Sequence, residues 1–170
     1  YPYVSDGDAG TVNIYVEATE EDSTDGNGTP STTILDDVSE VIEFDPDETK
    51  PLYERGRRPI QANVTTIAVN PNEVTVTITG LETTSTEIEA SILSNIKTYL
   101  KTVRPFIAGG DLLRNKNDVL YSARLQSIVT DVIGNNNFFT SFEMKVNGTA
   151  QTSYLFEREN IPYLGGVDYE

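Results

Sequence analysis

The sequence predicts an α+β fold: small antiparallel or mixed sheets with three helices, in the order β-α-β-β-α-α-β-β. Three observations carry this. Glu73-Val74-Thr75-Val76-Thr77-Ile78-Thr79 alternates strictly between apolar and polar residues, the pattern of a half-buried strand. Directly after it, Ile88, Ile92, Ile96, Tyr99 and Val103, with Leu93 and Leu100 beside them, recur at the spacing of a helix that buries one stripe. Near the C-terminal end, Asn147-Gly148 is a strong hairpin signal between two apolar runs.

From the start of the chain, Tyr1 to Gly10 is turn-rich and polar. Thr11 to Ala18 alternates, with Val12, Ile14, Val16 and Ala18 on one face, and is the first strand. Thr19 to Thr29 is an acidic loop with Glu20, Glu21, Asp22 and Asp25. Clustered oxygens suit a hard cation, but the spacing departs from the EF-hand pattern and a solvated loop is the simpler reading. Thr29-Pro30 predicts a helix start, with Ile34, Leu35, Val38, Val41 and Ile42 as its stripe and Asp45-Pro46 as its stop. Asp47 to Pro59 is irregular and holds the dense basic cluster Arg55-Gly56-Arg57-Arg58. It suits either an acidic partner or salt bridges within this acidic chain.

Ile60 to Val69 is the second strand. The turn Asn70-Pro71-Asn72 predicts that it pairs with the next strand as a hairpin. Thr84 and Glu87 form a capping box for the long helix, which Arg104-Pro105 ends. Gly109-Gly110 lies in a loop and lacks the Lys-Ser/Thr of a phosphate cradle. Asn115 with Asp118 suggests the cap of a third helix, whose stripe is Leu120, Tyr121, Leu125, Ile128, Val129 and Val132 and whose end is Gly134. Phe138 to Val146 and Gln151 to Phe156 are the strands flanking Asn147-Gly148. Ile161 to Val167 is an apolar closing segment, in which Pro162 argues for an edge or a turn. The division expected is a β-α-β subdomain over residues 1–70 and a β-α-α-β-β subdomain over 71–170, with one single α+β domain as the alternative. The first elements approximate a split βαββα unit.

Composition narrows the chemistry. The chain has 170 residues with 27 acids and 12 bases, a formal net charge of −15. Such a field disfavours nucleic acid and anionic membranes. There are no cysteines and no histidines, so disulfides, thiolate nucleophiles, the usual Ser-His-Asp triad and the commonest transition-metal ligands are all excluded from this chain. A carboxylate hydrolase or a calcium site stays open on composition. With Tyr1 first and Met144 as the single methionine, the chain reads as a piece of a longer polypeptide. Three Asn-X-Thr sequons, at Asn27, Asn63 and Asn147, are short, turn-like matches without a secretion signal beside them.

The order of motifs resembles the baseplate J-like family, wedge components of contractile phage tails and related injection machines. The residues that carry the resemblance are Gly10-Thr11-Val12-Asn13-Ile14-Tyr15-Val16, Asp25-Gly26-Asn27-Gly28-Thr29-Pro30 and Arg57-Arg58-Pro59-Ile60. The strand Val74 to Ile78, the helix to Tyr99-Leu100, Gly110, Val132-Ile133-Gly134 and Ile161-Pro162-Tyr163-Leu164-Gly165 continue it. It runs from about Gly10 to about Val167 and looks like the C-terminal part of such a protein. Asn135-Asn136-Asn137 stands where Gly-Val is expected, and the loop Asp45 to Glu54 is long.

The resemblance implies a structural subunit without catalysis or cofactor. Its partners would be itself and other wedge proteins, in a virion baseplate or tail-like particle assembled in the bacterial cytoplasm. The candidate interface residues are Arg55, Arg57 and Arg58 with Ile161, Pro162, Tyr163 and Leu164. A surface ligand- or carbohydrate-binding module, drawing on nine tyrosines, is the alternative.

Overall fold

The computed structural model describes residues 11–57, 62–82, 85–106, 116–134 and 137–170. The expectations for Tyr1 to Gly10, Arg58, Thr84, Gly109-Gly110 and Asn115 lie outside the described residues. The described residues form two compact units, one up to Asn70 and the other from Pro71 onward. The fold is α+β, with three helices and small sheets of mixed direction.

The first unit contains β1 (Thr11–Val16), α1 (Thr32–Glu43), a single 3-10 turn (Leu52–Glu54) and β2 (Asn63–Ala68). β1 and β2 run parallel, in register from Thr11↔Asn63 to Val16↔Ala68. This corrects the expected hairpin between β2 and the strand after it. Parallel neighbours need a long crossover, and the segment holding α1 supplies it. α1 packs on β2, where the Ser39 and Thr66 hydroxyls lie 2.8 Å apart in a hydrogen bond. The helix starts later than Thr29-Pro30 suggested. Ser31 is the N-cap, and its Oγ accepts the Ile34 N–H at 3.3 Å. Thr29 is instead held by the preceding loop, its hydroxyl donating to Asp25 Oδ2 at 2.6 Å.

The second unit holds β3 (Asn70–Thr79), α2 (Thr86–Leu100), β4 (Val119–Tyr121), α3 (Ser122–Ile133), β5 (Ser141–Val146), β6 (Thr149–Ala150), β7 (Ser153–Leu155) and β8 (Asn160–Tyr169). A four-stranded sheet has the order β6-β5-β3-β8, and β4 pairs with β7 in a separate two-stranded ribbon. β3 and β5 are antiparallel, from Val74↔Val146 to Thr79↔Ser141. At the other side of β3, the Glu170 N–H donates to the Ile78 C=O and its C=O accepts from the Gly80 N–H. These bonds bracket Thr79 in the manner of a parallel bridge. β8 is thus an edge strand in the sheet order, as Pro162 suggested.

The core follows from the sequence patterns. Val74, Val76 and Ile78 of β3 are fully buried against Ile92, Ile96 and Leu100 of α2, Leu125 and Val129 of α3, and Met144 and Val146 of β5. Ser85, one residue after Thr84, caps α2 by accepting the Ile88 N–H at 3.3 Å. Gly134 ends α3 at φ 74°, and Asn147 and Gly148 turn the hairpin at φ 49° and 76°.

The third helix is the main departure. Val119-Leu120-Tyr121 is a strand rather than the first turn of a helix, paired Val119↔Leu155 to Tyr121↔Ser153. Asp118 therefore caps no helix; its C=O accepts the Phe156 N–H at 2.8 Å. α3 begins at Ser122 with no side-chain cap. Three residues are too few for a periodic signal to separate strand from helix.

Among the described residues, the Tyr169 hydroxyl at the end of β8 is the buried side-chain polar atom without a hydrogen-bond partner. Burial, and then the charge of Glu89, push its ionisation above the ordinary tyrosine range. Tyr169→Phe removes a desolvated hydroxyl and leaves the ring. The expected result is stability unchanged or raised by up to about 1 kcal/mol, read as a thermal midpoint that does not fall.

Candidate functional site

Three places in the structure bear on function, and two contain the residues singled out in the sequence. The first is an arginine corner at the end of α1. A helix leaves its last carbonyls without partners inside the helix. Here the chain returns to fill that role: the Arg57 N–H donates to the Glu43 C=O at 2.9 Å and the Asp45 N–H to the Arg55 C=O at 2.7 Å. Arg55 Nε donates to the Asp45 C=O at 2.7 Å, and Arg57 Nη2 lies 3.2 Å from Asp45 Oδ1. Lys50 Nζ donates to Asp45 Oδ2 at 2.8 Å. Both arginines thus make contacts inside their own unit. Arg58 lies outside the described residues.

The hydrogen bond from Lys50 holds the Asp45 carboxyl down at about 2, helped by the Asp47 N–H and by the charges of Lys50 and Arg57. A carboxyl whose folded pKa is depressed contributes stability that is complete above its ordinary pKa near 3.8 and is lost as pH falls through about 2. The expected carbon-detected NMR titration of Asp45 has a midpoint near 2. Lys50→Ala should move that midpoint back toward the ordinary value by more than Arg57→Ala does.

The second place is the closing segment. Ile161 and Pro162 are buried in β8, while Tyr163 and Leu164 are half-buried, with Leu164 packed against the core. Two of these four expected contact residues are therefore turned into their own unit.

The third place was not singled out in the sequence. A cleft of about 840 Å³ opens at the end of α2, lined by Tyr99, Thr102, Lys116, Asn117, Asp118, Val119, Tyr121 and Arg124. Asp118 is 5% exposed and pairs with Lys116 at 3.3 Å. Lys116 also sits 5.4 Å from the Phe106 ring centre, and Arg124 lies 5.8 Å from that of Tyr99. Tyr121, placed on a helical core stripe by its spacing, is instead 54% exposed at the end of β4. Tyr99, on the α2 stripe, is half-buried against the core, and burial raises its pKa. Hydrolysis of a glycosidic bond uses two facing carboxylates. The described lining of this cleft presents one, already tied to a lysine.

In the acidic loop, Asp25 directs its oxygens inward. They accept the Asn27 N–H at 2.8 Å, the Thr29 N–H at 3.3 Å and the Thr29 hydroxyl. No group of three or more acidic residues among the described residues is placed to hold a metal ion. No described helix is long and apolar enough to cross a membrane.

No protein-family model matches the chain, and no curated protein matches it in sequence.

Proposed function

We propose that this protein is a structural subunit of a phage-tail-like baseplate. Its role there is subunit–subunit assembly of the wedge or ring, without catalysis. The observation that supports this most is where the motifs that resemble the baseplate J-like pattern fall. Asp25 to Pro30 makes a loop closed on the Asp25 carboxylate that leads into α1. Val132-Ile133-Gly134 ends α3, and Ile161 to Gly165 lies in the edge strand β8. These are architectural positions, and none of these three motifs lines the cleft. The absence of imidazole and thiol from the sequence points the same way.

The test is recovery from cells making tail particles. The tagged chain should co-purify with wedge components and appear in the baseplate by electron microscopy. A chain that binds no tail component overturns the proposal, as does turnover of a substrate through its own acids.

The cleft favours a second reading, a surface ligand- or carbohydrate-binding module, because Tyr99 and Tyr121 both line it beside Lys116 and Arg124. Aromatic faces beside polar groups are a common way to hold a small polar ligand. A glycan array without hits removes that reading.

A further inference from the structure

We infer that the cleft at the end of α2 receives the outward face of α1 from a second copy of this chain. The inference rests on the assembly reading above and names the partner.

The charge of the chain is unevenly distributed. Residues up to Asn70 hold fifteen acids and four bases, while the remainder holds twelve acids and eight bases. On α1, Asp37, Glu40 and Val41 fall on one face at helical spacing, with Phe44 at the helix end. Asp36, Asp37 and Glu40 are exposed, and Val41 and Phe44 are 49% and 37% exposed. This face is acidic along one side and apolar toward the C-terminal end.

The cleft offers the complementary pattern. Arg124 and Lys116 supply two cations against the single carboxylate of Asp118. Both are held in place, Arg124 over the Tyr99 ring and Lys116 between Asp118 and the Phe106 ring. Beside them lie Tyr121 and Leu155, the latter 46% exposed and paired across the ribbon from Val119, which lines the cleft. An acid-and-apolar helical face matches a cation-and-apolar cleft in sign and in kind. Because α1 and the cleft are different surfaces, the contact is heterologous, α1 of one copy meeting the cleft of another.

The experiment uses the full chain and sedimentation velocity over a range of concentrations. Wild-type protein should associate as concentration rises, and the association should weaken between about 0.05 and 0.5 M salt. Asp37→Lys/Glu40→Lys and, separately, Arg124→Glu should each weaken association about tenfold or more. Lys116 is left intact because it neutralises the buried Asp118. Circular dichroism and melting of both variants should match wild type, since all three positions are exposed. Mixing the two variants should restore association, because the reversed helix face of one now meets the reversed cleft of the other.

A wild-type chain that stays monomeric at every concentration overturns the inference. So does association that survives both substitutions, or variants that fail to rescue each other. If Arg124→Glu instead abolishes binding to another wedge component while copies never associate, the occupant is that component. The second-copy inference then fails and the assembly reading stands.

Discussion

Asn72→Leu is expected to destabilise the protein by about 3 kcal/mol. Asn72 is 4% exposed at the start of β3 and sits in a chain of amides that all point the same way. Asn147 Nδ2 donates to Asn72 Oδ1 at 2.7 Å, Asn72 Nδ2 donates to Asn160 Oδ1 at 3.1 Å, and Asn160 Nδ2 donates to the Glu157 C=O at 3.0 Å. Asn147 Oδ1 also accepts the Glu73 N–H at 2.9 Å. The chain fastens the start of β3 to the β5–β6 turn on one side and to the start of β8 on the other. Leucine keeps the branched outline of asparagine with somewhat bulkier ends, so no cavity forms. It leaves an amide donor and an amide acceptor without that partner, each costing about 1–3 kcal/mol when shielded from water. For a unit of this size the thermal midpoint should fall by about 12–20 °C. Asn72→Asp separates the two bonds. The carboxylate still accepts from Asn147 but opposes Asn160 Oδ1, so its penalty should shrink as pH falls and the acid becomes a donor. A midpoint unchanged in both variants would show that the amide chain contributes nothing.

Gly80→Ala is expected to cost about as much by a different route. Gly80 follows β3 at φ +67°, and a Cβ there would overlap Thr140 Oγ1 and lie 3.0 Å from Thr140 Cβ. The backbone has little room to adjust. The Gly80 N–H is bonded to the Glu170 C=O at 2.6 Å, while the Thr140 N–H is bonded to the Thr79 C=O at 2.8 Å. A left-handed conformation costs an L-residue about 1–2 kcal/mol, and overpacking adds about 1–3 kcal/mol. Chemical denaturation should therefore show a loss of about 3 kcal/mol. A Thr140→Ala background removes the overlap with Oγ1 but keeps the contact with Cβ at 3.0 Å, so the loss should fall to about 2 kcal/mol. If the penalty is the same in both backgrounds, the close approach to Thr140 is not its source.

The sequence reads Asn72 as a turn residue and gives no sign of the contacts that either position makes, and the reason is physical. Periodicity reports which face of an element is buried, and there it was legible. Val74, Val76 and Ile78 are fully buried, as are Ile92 and Ile96. Turn chemistry was equally plain at Asn147-Gly148 and Gly134. The caps of α1 and α2 were legible to within a residue or two, because Thr29, Ser31, Thr84 and Ser85 are all competent oxygens and only the backbone path selects among them, whereas α3 begins after Tyr121 with no side-chain cap and not at the cap expected from Asn115 and Asp118. Partner choice was not legible. Asn70-Pro71-Asn72 has the residues of a tight turn, yet β2 pairs with β1, some fifty residues earlier, and β3 pairs with β5.

Of the candidate contact residues, Arg55 and Arg57 were read correctly as a basic cluster, but their ligand, Asp45, is not identified by the spacing. Ile161 and Pro162 were expected at a contact surface, and the structure buries both in their own unit; an apolar run alone does not say which of the two surfaces it covers. The cleft joins the end of α2 to the start of α3 through Tyr99, Lys116 and Arg124, and no local pattern brings those three together.

The strand order has a kinetic consequence. Val74 meets Val146 across the sheet, and the Ile78 C=O waits for the N–H of Glu170, so each side of β3 is filled by chain synthesised long after it. Ordering those distant segments costs loop entropy before any contact is gained. α2 can nucleate early from local bonds, but the four-stranded sheet closes late. Until it does, Val74, Val76 and Ile78 lie uncovered on a nascent chain, which makes them the stretch a chaperone would engage during synthesis.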